Sequence, residues 1–566
     1  MIVLGIWDGH DSGAAILENG RVRIAVNEER LTRRKLEIRF PALAIRCCLD
    51  FGGWRPEDVD LVAYSTGDLS KTLARWAPFT KETYYQIRRR KLAPSHLHRT
   101  EKRWKYWLTT LPGNRVSEML SDAAMRRRLV ELGITSRRIV LVDHHQAHAA
   151  TAAYLSGFDS ASVVTLDGVG DGLSATVSVY SGGRLERLEE TPASDSLGVF
   201  FEHVTNLLNM RELEDEGKVM ALATYAYPIP DEQNPLISLF EVNGLRLRAR
   251  YGPLRLYDEL KRILWYYPSE QFARMAQRSL EIHVMALARN AVRKTGFGNL
   301  ALAGGVASNI KVNMLLRECP DIADVFVFPH MGDGGLAVGA ALQAAKEAGE
   351  NVDAPLEDVF WGPETNDPTK PPAGIARMAQ CEGQEAVVRL AAELIARGEI
   401  LLWYDGRMEY GPRALGHRSI LARADAPDVR DRLNLQLKKR VWYQPFCPSI
   451  LDREAQRLLE NTKGRPNRFM TMGYRARTEC RSSLQAVLGV DGSCRPQFVR
   501  EDGSSFARLL ALIQEHTGTG CVLNTSMNLH GEPLAASLDH VFRLMRECGF
   551  RYLACPGTGS FYTLDA

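Results

Sequence analysis

One arrangement of strands and turns occurs twice in this chain, and it limits the fold more than any other feature. VLGIWDGHDSGAAILENGRVRIAV reads as a strand, a turn at Asp8-Gly9, a second strand, an Asn19-Gly20 hairpin turn and a third strand. SVVTLDGVGDGLSATVSVYSGGRLERL repeats it: an apolar strand ends at Asp167-Gly168, a glycine-rich turn follows, and a hairpin closes at Gly182-Gly183. Asp-Gly is also the commonest hairpin turn, so one copy alone carries little. Two copies put Asp8 and Asp167 in equivalent places, each beside backbone amides at the tip of a β-turn, a geometry suited to holding phosphate and its metal.

The class is therefore α/β, and the duplication resembles the two-lobed ATPase fold shared by sugar kinases, actin and Hsp70. At 566 residues and 45% apolar content the chain can bury more than one core. Residues 1–350 read as the first domain. The stretch 351–383, rich in Pro, Asp and Glu without periodicity, reads as a linker, and 384–566 as a second α/β domain. A net charge of +3, from 71 basic and 68 acidic residues, argues against a broad nucleic-acid surface. The segment Arg88 to Lys105, with eight basic residues and one acidic, reads as an exposed basic patch, either a solvated helical arm or a docking wall for an anion. The ten cysteines lack zinc-site spacings and fit free thiols of a reducing compartment. Met1 leads straight into the strand IVLGIWD, and no apolar run is long enough to span a bilayer, so the expected location is cytoplasmic, away from membranes.

Three constellations carry chemistry. DGRMEYGPRALGHRS gathers Arg407, Arg413 and Arg418 after the apolar run EILLWY, and arginines at the end of a buried strand call for an anion, most simply a phosphate. Lys438, Lys439 and Arg440, Arg495, and the polar run Asn524, Thr525, Ser526 and Asn528 extend this to a cationic, hydroxyl-lined pocket, although each cluster alone could be a surface charge or a helix cap. His144 and His148 lie four apart at a helix start and can share one metal. With Asp167 and Asp333 they make a set suited to a borderline divalent ion such as iron(II), zinc or manganese. Gly304-Gly305 sits between a strand and a helix, where bare backbone can approach a nucleotide or merely ease packing.

These motifs, together with GIWDGHDSGAA, NEERLTRRK, HHQAHAA, EGKVMALA, LAGGVASN, GDGGLAVGAAL, PFCPSI, DGSCRPQ and LNTSMN, resemble the O-carbamoyltransferase family over essentially the whole chain. The resemblance implies an N-terminal domain like the tRNA threonylcarbamoyl transferase and a smaller C-terminal domain like the threonylcarbamoyl-adenylate synthase. It implies ATP and carbamoyl phosphate as substrates, a carbamoyl-adenylate intermediate, and transfer to a hydroxyl of a small-molecule acceptor such as a sugar. His144, His148, Asp167 and Asp333 would hold a divalent metal of ferrous type. His10 would be the base, its ring oriented by Asp8 or Asp11, with Asp8 and Lys35 on the acceptor side. Gly168, Gly170, Lys218, Gly304, Gly305 and Asn309 would hold the nucleotide. Arg407, Arg413, Arg418, Lys438, Arg440, Arg495, Asn524 and Ser526 would hold carbamoyl phosphate and ATP. A homodimer is a possible assembly. Where the family usually reads Arg-Glu-x-Phe-Arg-Pro-Phe, this chain has Val441 and Gln444 in place of the acidic and basic residues, a compensated swap or the loss of a phosphate contact. A tRNA-modifying transferase and a non-catalytic nucleotide-binding homologue are the competing readings.

Overall fold

In the computed structural model each duplicated hairpin opens a five-stranded sheet. Strands β1 (Ile2–Trp7), β2 (Gly13–Glu18) and β3 (Arg21–Asn27) pair antiparallel, and β4 (Leu61–Ser65) and β5 (Arg138–Val142) extend the sheet in parallel, giving the order β3-β2-β1-β4-β5. Strands β6 (Ser160–Gly170), β7 (Leu173–Ser181) and β8 (Arg184–Pro192) repeat the antiparallel meander. A hairpin of β9 (Phe240–Asn243) and β10 (Arg246–Ala249) follows, and then β11 (Asn299–Ala303) and β12 (Asp324–Val327) complete the order β12-β11-β6-β7-β8. Read outward from β1 and from β6, the two sheets share strand order and pairing sense, which establishes the duplicated ATPase-type fold. The structure describes residues 1–93, 104, 107–111, 113–136, 138–364, 370–379, 381–438, 441–462 and 464–565.

The patterning explains where each strand lies. β1 and β4 are almost wholly apolar and buried, as strands covered on both faces must be. β8 alternates exposed and half-buried residues, the signature of a strand with one face in water. Helix α1 (His144–Tyr154) and helix α2 (Leu336–Glu347), both rich in small residues, approach to backbone contact: a Cβ on Gly339 would fall inside the Ala147 carbonyl. That close crossing brings the start of each helix, His144 and the Asp333 turn, to one place.

The chain divides into two units, Met1–Glu28 with Leu36–Glu357, and Glu29–Lys35 with Asp358–Ala566. The stretch read as a linker is ordered where described. Ala354 and Leu356 donate to the carbonyls of Tyr154 and Leu155 in the first unit, whereas Tyr410 donates to Val359 in the second. The second unit has an eight-stranded sheet built from β13 (Ile375–Arg377), β14 (Leu401–Tyr404), β15 (Arg418–Arg423), β16 (Cys447–Leu451), β19 (Gln497–Val499), β20 (Cys521–Ser526), β21 (Tyr552–Cys555) and β22 (Ser560–Leu564). A separate two-stranded pair holds β17 (Tyr474–Arg475) and β18 (Ser493–Cys494). The order β13-β22-β21-β14-β15-β20-β16-β19 is mixed, and the helices Gln384–Ala396 and Ser505–Thr517 bury Val387, Ile395, Leu509 and Ile513 against Trp403, Val522 and Phe561.

Glu29–Lys35 enters the second unit because its arginines find carbonyls there. Arg30 donates to Gly411 O at 2.7 Å, and Arg33 to Leu534 O at 2.5 Å and Pro533 O at 2.9 Å. Lys35 thus falls in the second unit. The basic segment also differs from expectation where it is described: Arg88 pairs with Glu202 and Glu212, Arg89 with Glu214, and Arg90 with the carbonyls of Asn206 and Met210. Arg88 and Arg89 are thus internal struts, whereas Arg90 stays exposed. The remainder of that segment, apart from Lys91, Leu92, Ala93 and Trp104, lies outside the described residues. All ten cysteines are free thiols, and among the described residues no helix is long and apolar enough to cross a membrane.

Candidate active site

In the first unit, α1 supplies His144 and His148 from one face, β6 supplies Asp167 near its C-terminal end, and the turn before α2 supplies Asp333. One ligand atom from each lies within 4.8 Å of the others, and all four residues are buried. Donors bound to one ion at about 2.1 Å stand at most ~4.2 Å apart, so the set is near the spacing an ion imposes. His148 Nε2 has no hydrogen-bond partner despite burial, and Asp333 Oδ1 lies 3.7 Å away, so the ring aims its ligating atom into the cluster. These donors fit a divalent cation.

Neighbouring groups hold the four in place. Thr66 Oγ1 meets His144 Nδ1 at 3.1 Å, leaving Nε2 to face Asp167 at 3.3 Å. Thr66 sits at φ 74°, a strained choice for a β-branched residue and one that sequence did not flag. Asp171 accepts from the amides of Gly67, Asp68 and His144, so the second aspartate of LDGVGDG anchors the start of α1. Gly170 is needed because a Cβ there would overlap the His144 ring, and Gly305 donates its amide to Asp167 Oδ1 at 2.6 Å. Burial opposes charge on His144, but Asp333 and Asp167 outweigh it and push the ring up to about 9. Burial and Asp333 work to raise Asp167, yet the two imidazoles bring it down to about 2.

His10 Nε2 lies 3.1 Å from Asp333 Oδ2, and His10 Nδ1 is buried without a hydrogen-bond partner. Asp333 therefore serves two neighbours, imidazoles of the cluster through Oδ1 and His10 through Oδ2. This corrects the sequence expectation, because neither Asp8 nor Asp11 orients the ring. Asp8 is taken by Lys71 and Arg75, at 2.8 and 3.0 Å, and Asp11 Oδ2 faces His330 at 3.9 Å. The expected nucleotide contacts also divide. Asn309 is committed as the cap of the helix Ile310–Glu318 and to Gln277, Lys218 pairs with Asp215 at 2.7 Å, and Gly170 and Gly305 position His144 and Asp167. A Cβ on Gly168 would meet Glu202, and one on Gly304 would overlap Leu166, so both mark close packing.

In the second unit the loop from Met408 to Arg418 is pinned on every side. Glu409 Oε1 accepts from the amides of Leu415, His417 and Arg418. Asn524 Nδ2 reaches Ala414 O and Ser449 Oγ, Ser449 donates to Gln497, and Gln497 donates to Leu415 O at 2.7 Å. Two of the arginines assigned to phosphate are spent on this frame. Arg407 donates to the carbonyls of Trp361 and Gly362. Arg418 is fully buried, lies over the Tyr404 ring at 3.8 Å, and donates to Asp405 O and Gly406 O. Lys438 donates to Ser526 O and Asn528 Oδ1, and Ser526 Oγ donates to Asn528, so these groups also hold one another. Arg440 lies outside the described residues. Gln444 Oε1 is buried with no hydrogen-bond partner, so the departure from the family's pattern leaves an unmatched acceptor there.

Arg413 differs from its neighbours. Among the described residues it meets no carboxylate, and it lies near Arg495, which directs Nε and one terminal nitrogen at Cys447 Sγ, 3.1 and 3.0 Å away. Burial first, and then Arg495, push the Arg413 guanidinium down to about 9. Two half-buried like charges without a carboxylate in ion-pair contact among the described residues are costly, and such a pair suits an anion. Glu409 and Cys447, which frame it, had no recognisable spacing signal.

The family model for the carbamoyltransferase N-terminus matches residues 2–342, and that for the carbamoyltransferase C-terminus matches 392–558. Nodulation protein NolNO of Sinorhizobium fredii is 32% identical over 545 residues, covering 94% of this chain and 75% of that protein. An uncharacterized protein of Methanocaldococcus jannaschii is 34% identical over 472 residues, 78% of this chain and 77% of its own. Among solved structures, HypF of T. kodakarensis aligns with 61% of this chain and 48% of its own at 15% identity and a TM-score of 0.35.

Proposed function

Since this chain belongs to the carbamoyltransferase family and is an enzyme that transfers carbamoyl groups, we propose that it does so in two steps, using ATP and carbamoyl phosphate to carbamoylate a small-molecule hydroxyl. In the second unit, water releases phosphate from carbamoyl phosphate, and the resulting carbamate attacks the α-phosphorus of ATP. Carbamoyl-adenylate forms and pyrophosphate leaves. The observation that carries this reading is the Arg413–Arg495 pair, whose surplus charge suits the substrates' phosphates.

In the first unit the acceptor oxygen attacks the carbamoyl carbon, the bond from carbon to the adenylate oxygen breaks, and AMP leaves with the electron pair. His10 takes the acceptor's proton. Its Nε2 proton is held by Asp333 Oδ2, which leaves Nδ1 as the basic atom, and such a base contributes ~10²- to 10⁴-fold. A divalent ion, iron(II) by the family's pattern, held by His144, His148, Asp167 and Asp333, would bind the adenylate phosphate and stabilise departing AMP. The test is mass spectrometry for carbamoyl-adenylate after incubation with ATP and labelled carbamoyl phosphate. Pyrophosphate release that is independent of carbamoyl phosphate would count against the scheme.

A further inference from the structure

Asp8, the counterpart of Asp167 in the repeat, is surrounded by cations. Lys71 Nζ lies 2.8 Å from its Oδ1, Arg75 Nε 3.0 Å from its Oδ2, and Lys81 Nζ donates to its backbone oxygen at 2.8 Å. Burial works to raise the Asp8 carboxyl, but Arg75, Lys71 and Lys81 overcome it and hold the group far below the usual carboxylate range. Three basic side chains thus gather around one acidic residue. Among the described residues no carboxylate is in ion-pair contact with Lys81, and burial followed by Lys71 pushes its ammonium well down. Asp68, the nearest acid in sequence to Lys71, is committed as the cap of the helix Leu69–Trp76.

This surplus borders the proposed base. Lys81 and Tyr85 stand one turn apart on the helix Pro78–Arg88 and share a face, and Tyr85 packs on His10 with ring centroids 5.5 Å apart. Lys71 lies over the Trp7 ring at 4.2 Å, and Trp7 Nε1 donates to His10 O. The His10 side chain keeps 22% exposure, so a molecule can reach it from outside.

We infer that Lys81, backed by Lys71 and Arg75, receives an oxyanion of the acceptor, so that the hydroxyl to be carbamoylated is carried by an acidic molecule, a carboxylate or a phosphate ester. The inference rests on the reading of His10 as the base of a carbamoyl transfer. An oxyanion beside the half-buried Lys81 amine would favour its charged form and receive charge-assisted hydrogen bonds from it. The nucleotide's own phosphate is the other source of such an oxyanion, and the experiment separates the two.

Full-length protein is titrated with matched polyols that differ by one acidic group, D-glucuronate against D-glucose and glucose 6-phosphate against glucose, with AMP as the nucleotide probe. The acidic members should bind about tenfold or more tightly than their neutral partners. Lys81→Met should erase that preference, Lys81→Arg should keep it, and AMP affinity should change less than about twofold. Lys81→Met leaves the Asp8 carboxylate with Lys71 and Arg75, so the fold is retained. Equal binding of acidic and neutral members, or a Lys81→Met loss confined to AMP, overturns the inference. Pyrophosphate release on the same proteins reports the second unit, so its absence would count against the two-step scheme separately.

Discussion

The two units treat charge in opposite ways. In the first, imidazoles and carboxylates are interleaved: Asp333 touches His10, His144 and His148, and Asp167 touches His144, so the cluster contains its own countercharge. In the second, Arg413 and Arg495 act on one another as like charges, Arg495 donates to the Cys447 thiol, and among the described residues neither is in ion-pair contact with a carboxylate. A site of the first kind is organised before anything binds. One of the second kind leaves like charges together, with Arg413 on a loop that Glu409, Gln497 and Asn524 pin in place.

The contrast breaks most sharply at Asp333. Asp333→Asn keeps the shape but removes charge from the metal cluster and from His10, and carbamoyl transfer should fall by about 10³-fold. Carbamoyl phosphate-dependent pyrophosphate release should be unchanged, and a parallel loss of both would erase the division of labour. At the other site, Arg413→Met should lower pyrophosphate release by about 10²-fold. It should also raise the melting temperature of the substrate-free protein, because a buried like-charge repulsion is removed. Arg418→Ala is its control: a fully buried arginine that donates to carbonyls should cost on the order of 3 kcal/mol of unfolding free energy, seen as a shifted denaturation midpoint. Lost turnover at unaltered stability would return Arg418 to the substrate.

A smaller effect is expected at Gly170, where an added Cβ displaces the His144 ring; Gly170→Ala should weaken metal binding by about tenfold, measured by competition with a chelator. The smallest is a difference in pH response. Glu216 is pushed up to about 8 by burial and Glu202, so the folded first unit holds a proton that an unfolded chain with the ordinary value of 4.5 releases. That contribution to stability is whole below 4.5 and is lost as pH rises through about 8. His540 is pushed down to about 4 by burial, Arg33 and Arg543, so the folded second unit refuses a proton that the unfolded ring accepts below 6.5. Its contribution is whole above 6.5 and is lost as pH falls through about 4. Hydrogen exchange should show the first unit loosening toward high pH and the second toward low pH; parallel profiles would contradict this.

The repeat, the small-residue packing of α2 and the pairing of His144 with His148 were legible because each rests on short-range pattern: period-two strands, a run of Gly and Ala, histidines four apart. What sequence could not rank was the use of each arginine. Arg407, Arg413 and Arg418 stand within one motif and look alike, yet only the geometry of carbonyls around them separates the two struts Arg407 and Arg418 from Arg413. The ion pairs of Asp8 were hidden for a related reason. Its partners Lys71, Arg75 and Lys81 come from helices inserted after β4, too distant in sequence and too irregularly spaced to announce the pairing.

The strap Glu29–Lys35 has a bearing on how such a protein can be taken apart. A gene cut at the boundary between Glu357 and Asp358 would deliver a second unit lacking Arg30 and Arg33, whose guanidiniums hold Gly411, Pro533 and Leu534. Such a fragment should regain its fold when a synthetic peptide spanning residues 27–36 is added, as a split reporter does. During synthesis the strap leaves the ribosome more than 300 residues before the loops it holds, so completion of the second unit joins pieces of chain made far apart in time.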